Sequence, residues 1–124
     1  MKKIVNLTQH RATPEQVAQG VVDLPEEDMK VIHDLLTFDE IPNIDEMLYR
    51  SQKIADVAND NDATHAMCGG APFFMSYLER ELYFMGINPL YAFSKRESSE
   101  IVHPDGTVTK LNVFKHLGFV GDIS

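Results

Sequence analysis

Short apolar or β-branched runs alternate with well-marked helix starts along this chain, and that alternation restricts the fold more than any other feature of the 124 residues. Lys3 to Leu7 reads as a buried opening strand. Thr13-Pro14-Glu15-Gln16 then spells a helix start. Thr13 is placed to cap, Pro14 takes the first helical position where an N–H is not needed, and Gln16 can return the capping bond. Gly20 marks the end of that helix. Val21 to Leu24 reads as a second strand, and Pro25-Glu26-Glu27 opens a helix whose carboxylates sit at the positive end of its dipole. That helix ends before Phe38.

From Asn43 the apolar positions Ile44, Met47, Leu48, Ile54, Ala55, Val57 and Ala58 recur at helical spacing until the polar run Asn59 to Asp62. Thr64 to Cys68 reads as a third strand and Gly69-Gly70 as a turn. Pro72 starts a helix with Phe73, Phe74, Tyr77, Leu78, Leu82 and Met85 along one face, ended by Gly86. Pro89 to Phe93 reads as a fourth strand. Glu100 to Val102 and Thr107 to Lys115 flank the turn sequence His103-Pro104-Asp105-Gly106, so the tail reads as a β-hairpin. The pattern predicts a single α/β domain over residues 1–124: a three-layer, Rossmann-like, mostly parallel sheet with the C-terminal β-hairpin at its edge. In such sheets ligands bind at the carboxyl ends of the strands.

Charge narrows the functional classes. Eleven Lys and Arg against 19 Asp and Glu give a formal charge of -8, which argues against long nucleic acids and anionic membranes as partners. A local basic pocket for a small anion survives that objection. The single cysteine, Cys68, can form no internal disulfide and has no second thiol with which to hold zinc, so a reducing, cytoplasmic location is expected. The His spacing suggests no metal site, no cofactor is expected, and no apolar run approaches membrane-spanning length.

Three strand-end segments carry candidate chemistry. The first is Asn6-Leu7-Thr8-Gln9-His10-Arg11 running into the Thr13 cap, with Thr8, Gln9 and His10 its candidate site residues: backbone donors there can meet phosphate and His10 can move protons near neutral pH. Gly69 and Gly70 would let a ligand approach the backbone at the next helix start, although any tight turn uses such a pair. Cys68 reads as a buried strand residue without chemistry. The richest segment is Ser94-Lys95-Arg96-Glu97, where an apolar strand passes into a hydroxyl, two cations and a carboxylate. Arg96 can grip a phosphate with two donors, and an ordinary solvated turn is the plainer alternative. Lys115 and His116 fall in the last strand, on opposite faces if it is regular. His65 reads as a satisfied, partly buried residue.

The order of these motifs, carried mainly by Tyr91-Ala92-Phe93-Ser94-Lys95-Arg96, Asp105-Gly106 and Val113-Phe114-Lys115-His116, resembles the small stand-alone CARF-like ring nucleases of type III CRISPR systems and their phage-borne relatives. The resemblance implies a CARF-like nucleotide-binding domain acting as a homodimer. Its ligand would be a cyclic oligoadenylate, cyclic tetra-adenylate favoured, held across the two-fold axis. It further implies metal-independent cleavage, in which a ribose 2′-hydroxyl attacks its neighbouring phosphate, switching off nucleotide-signalled antiviral immunity. Under it, Arg96 and Lys95 or Lys115 serve phosphate charge, Ser94 and Thr8 positioning, and His10 or His116 proton transfer. Gln9, Gly69, Gly70 and Glu97 complete the ligand-binding set. Two further readings stay open: a non-catalytic phage-encoded sponge for the same messenger, and an acidic protein-interaction module supported by the -8 charge alone.

Overall fold

The computed structural model describes all 124 residues. Nine elements succeed one another: β1 (Ile4–Leu7), α1 (Pro14–Ala18), β2 (Val21–Val22), α2 (Glu26–Leu36), α3 (Ile44–Asp60), β3 (His65–Cys68), α4 (Pro72–Phe84), β4 (Asn88–Val102) and β5 (Val108–Val120). They build a mixed α/β fold around one five-stranded sheet of order β2-β1-β3-β4-β5. The first four strands are parallel and β5 runs antiparallel to β4. No helix is long and apolar enough to cross a membrane.

Successive strand residues face opposite sides of a sheet. Val5 and Leu7 of β1, with Ala66 and Cys68 of β3, belong to the larger core, closed by Ile32 and Leu36 of α2, Ile54, Ala55 and Ala58 of α3, and Phe74, Leu78 and Leu82 of α4. On the reverse side Ile4, Val21, Met67 and Leu90 form a smaller cluster covered by Ala12 and Phe119. The short α1 buries none of its residues. Three helices thus pack on one face of the sheet, while the other face is covered by the small cluster with Ala12 and Phe119.

Local signals explain most element boundaries. The Thr13 hydroxyl accepts from Gln16 N at 3.2 Å and the Gln16 side chain accepts from Thr13 N at 3.0 Å, completing the expected capping box. Asn43 caps α3 by accepting from Glu46 N at 2.8 Å. In α4, Phe74, Leu78 and Leu82 recur every fourth residue and are fully buried, each contributing on the order of 2 kcal/mol through removal of apolar surface from water. Phe73, expected on the same stripe, sits one position round the helix and is half exposed.

Two boundaries differ from the sequence expectation. β2 stops after Val22, because Asp23 turns its carboxylate to accept from Asn6 Nδ2 at 2.8 Å and Ala12 N at 3.1 Å. The larger correction concerns the tail. The fourth strand does not end at Phe93: β4 continues to Val102 and carries the expected first arm of the hairpin within it. β5 pairs with it from Tyr91↔Val120 to Val102↔Val108, with one irregularity at Phe93/Ser94 where Leu117 is left over. The turn itself is as expected, with Gly106 at φ +85° and Gly106 N donating to His103 O at 2.9 Å.

Candidate functional site

Strand order reverses direction beside β1: the chain leaves β1 for β2 on one side and later returns to β3 on the other. Loops diverge above such a point and leave a crevice at the carboxyl ends of the strands. A cavity of about 520 Å³ lies there. Its walls are the β1–α1 loop (Thr8, Gln9, His10 and Arg11), the start of α1 (Thr13 and Gln16), the β3–α4 turn (Gly69 and Gly70) and Tyr91 of β4. Five residues chosen from sequence, Thr8, Gln9, His10, Gly69 and Gly70, thus converge on one cavity.

The loop is held by a buried polar network centred on Asn6, which opens the candidate segment Asn6 to Arg11 but had no role assigned to it from sequence. Asn6 is 4% exposed within the otherwise apolar strand β1. Its Nδ2 donates to His10 O at 2.7 Å and to Asp23 Oδ1 at 2.8 Å. Its Oδ1 accepts from Thr8 N at 2.9 Å and lies 2.7 Å from the Thr8 hydroxyl. Both donors and both lone pairs of the amide are used, which locks Thr8 and His10 relative to β1. A signal was present in sequence: an Asn inside an apolar run must find partners when buried.

Around that anchor the side chains are placed differently. Gln9 reaches away to donate to Thr37 Oγ1 at 2.9 Å. The exposed His10 ring makes no hydrogen bond, so both nitrogens are free for a ligand. Arg11, the end of the candidate segment and without an assigned role from sequence, pairs with Glu26 at the start of α2, and both side chains are largely solvent-exposed. Exposed pairs of this kind contribute at most about 1 kcal/mol, so a phosphate can displace the carboxylate. Gly70 adopts φ +146°, which favours glycine, and a Cβ on Gly69 would crowd Thr8 Cγ2 at 3.2 Å.

Two wall residues stay protonated. Burial pushes the Cys68 thiol up to about 12, and Cys68 Sγ donates to Ala66 O, so Cys68 is the buried strand residue expected. Burial, and then the neighbouring Glu79 carboxylate, push the Tyr91 phenol above its ordinary value and keep it neutral.

The remaining candidates lie elsewhere. Ser94, Lys95, Arg96 and Glu97 occupy the exposed outer part of β4, paired with His116, Lys115, Phe114 and Val113 of β5, and none lines the cavity. They form a ladder segment where a loop was expected. Antiparallel pairing satisfies backbone groups whatever the side chains, so a switch to polar residues marks the end of the covered sheet and not the end of the strand. The Arg96 guanidinium rests 5.8 Å from the centre of the Phe114 ring. Lys115 and His116 do take opposite faces, but His116 is buried at the ribbon root. Its Nε2 lies 2.7 Å from Gln19 Oε1, its ring meets Phe119 edge-on at 5.0 Å, and its Nδ1 has no partner. His65 is satisfied by Thr64 Oγ1 at 2.8 Å and Ser124 O at 3.1 Å.

No curated protein and no solved structure matches the chain. Residues 2–120 match the family described as uncharacterized protein MJ1673 family, a span that includes every strand and helix and the whole cavity. The chain belongs to the MJ1673 family.

Proposed function

We propose that the chain binds a cyclic oligoadenylate at the β1–β3 crevice and cleaves it as a metal-independent ring nuclease. The observation that carries this reading is the convergence of a mobile-proton group, His10, a displaceable cation, Arg11, and a side-chain-free backbone turn, Gly69-Gly70, on one cavity. Arg11 would exchange Glu26 for phosphate oxygens, replacing one carboxylate contact with bidentate contact to the ligand. Neutral Tyr91 would offer a hydroxyl donor and a ring surface to the base. His10 would take the proton of a ribose 2′-hydroxyl as its oxygen bonds to the adjacent phosphorus. The P–O5′ bond then breaks, solvent supplies the proton to the leaving 5′-oxygen, and a linear product with a 2′,3′-cyclic phosphate results.

The cavity volume of about 520 Å³ matches one small ligand and not a ring of four nucleotides. A homodimer, implied by the family resemblance, would supply two such cavities for one ring. The phosphate role first assigned to Arg96 with Lys95 or Lys115 passes in this reading to Arg11, and of the two candidate proton-transfer groups, His10 and His116, it takes His10, which lines the cavity.

The test is incubation of purified protein with labelled cyclic tetra-adenylate. Linear product is expected, and His10→Ala should lower the single-turnover rate by about 100-fold while Kd stays within threefold. Retention of intact ligand with no linear product would convert the reading to a sponge. No thermal shift with any cyclic or linear oligoadenylate would overturn it.

A further inference from the structure

The loop joining α2 to α3 borders a second cavity, which shares no lining residue with the β1–β3 crevice. It measures about 480 Å³, a size that suits a small ligand or an inserted side chain. Its apolar wall includes Phe38, Ile41, Met47 and Phe73, and the exposed residues Asp39 and Glu40 contribute the carboxylates. Single apolar residues on a surface need no explanation, but here they gather around a cavity. Ile41 is 98% exposed and Phe73 52%, and Ile44, one helical turn before Met47, is 62% exposed.

The chain itself shows what an aromatic ring beside a carboxylate holds here. The Arg50 guanidinium lies 4.5 Å from the centre of the Phe38 ring and donates to Glu46 Oε1 from Nη2 at 2.8 Å. Its Nη1 donates to Leu35 O at 3.0 Å and Thr37 O at 2.7 Å, which fixes it against the end of α2. Arg50 is therefore committed to Glu46 and to backbone carbonyls. Asp39 and Glu40 border a small cleft with it, yet neither forms an ion pair. Three carboxylates, those of Asp39, Glu40 and Glu46, thus surround one guanidinium, leaving a local net charge of -2.

The Phe73 ring centre lies 5.1 Å from that of Phe38. Phe73 with Asp39 and Glu40 therefore repeats the set that holds Arg50, an aromatic ring with carboxylates, but without a paired cation. That set selects the occupant. A guanidinium is planar, weakly hydrated and able to stack on a ring while it donates to carboxylates, so it fits better than a strongly hydrated ammonium. Anionic groups are repelled by the same carboxylates, free arginine with its own α-carboxylate among them. The apolar surface of Ile41 and Ile44 continues beyond Phe73, more than a lone guanidinium would cover.

We propose that this groove docks a partner polypeptide, which sets an arginine side chain against Phe73, Asp39 and Glu40 and lays its flanking apolar side chains on Ile41 and Ile44. The site is separate from the β1–β3 crevice and stands whether or not that crevice takes a nucleotide.

Amide NMR titration of the full chain with a capped peptide holding one arginine between two leucines tests it. Saturable shifts are expected at residues 38–47 and at Phe73. Replacing the arginine by citrulline, its neutral isostere, should weaken binding about tenfold or more. Asp39→Asn/Glu40→Gln should do the same while cross-peaks elsewhere stay in place, since both residues are exposed. Phe73→Leu keeps an apolar wall but removes the ring, and should weaken binding about threefold. No saturable shift up to about 2 mM peptide, equal affinity for the citrulline peptide, or shifts centred on the carboxylates of α2 overturns the proposal. Agmatine, a guanidinium on an alkyl stem, binding as tightly as the peptide would make the groove a small-molecule site and overturn the polypeptide partner. Sedimentation showing a wild-type dimer that Asp39→Asn/Glu40→Gln dissociates would assign the groove to a second copy and overturn it equally.

Discussion

Two polar segments that look alike in sequence, Thr8 to Arg11 and Ser94 to Glu97, have opposite structural roles. Each succeeds an apolar strand, and each combines a hydroxyl, a cation and further polar groups. The first is a loop, tied by Asn6 and Asp23 into a cavity wall. The second continues its strand into an exposed ribbon and is held by backbone pairing. The difference lies in the partner available beyond each apolar run. After β1 the chain must turn back to build α1, whereas after Tyr91 a returning strand, β5, is present to pair with the polar residues. Polarity alone marks the end of burial, and a partner strand decides the end of the strand.

The comparison is most severely tested at Asn6. Asn6→Ala removes four hydrogen bonds and leaves buried groups unpaired, so it should destabilise the fold by about 3 kcal/mol in urea unfolding. Ser98→Ala on the ribbon should stay within about 0.5 kcal/mol. Equal effects would erase the distinction.

Alkaline pH probes the body's interior next. Cys68 holds its proton more tightly when folded than unfolded, its thiol moving from an ordinary 9.0 up to about 12. That stabilisation is complete below about pH 9 and is lost as pH rises towards 12, by up to about 1.4 kcal/mol per pH unit. Tyr91, raised in the same direction, adds to the decline. The fall in urea midpoint between pH 8 and pH 10.5 should shrink in Cys68→Ala and stay unchanged in Glu97→Gln.

Ligand binding separates the two cations. Arg11→Ala should weaken cyclic tetra-adenylate binding about tenfold or more, and Arg96→Ala by less than threefold, measured by calorimetry. A reversed order would move the anion site to the ribbon. The smallest effect belongs to the ribbon tip, where the Thr107 hydroxyl and then its backbone N–H hold the Asp105 carboxyl below its ordinary value. Asp105→Asn should change the midpoint only slightly at pH 7, and that difference should vanish as acid protonates Asp105 in the wild type.

Much of the chain was readable one element at a time. The Thr13 box, the Asn43 cap, the Gly106 turn and the α4 stripe are local, since their donors, acceptors or apolar faces recur within a few residues. The site was readable only in part. Thr8, His10 and the glycine turn come from the general rule on strand ends, while Arg11 had to be seen beside the cavity before it counted. His116 reads as a candidate base in sequence, yet in the fold it is a wedge between Gln19 and Phe119.

Sequence by itself determined the order of elements, their caps and turns, and the mostly parallel sheet with an antiparallel edge, because hydrophobic period and capping act over one or two turns of chain. Tertiary structure alone decided that Asn6 meets Asp23, that the Thr8 and Gly69 loops share a crevice, and that Ser94 to Glu97 belong to a ribbon. Those outcomes depend on pairing between residues far apart in the chain. A strand's partner, unlike its propensity, is not written in the strand.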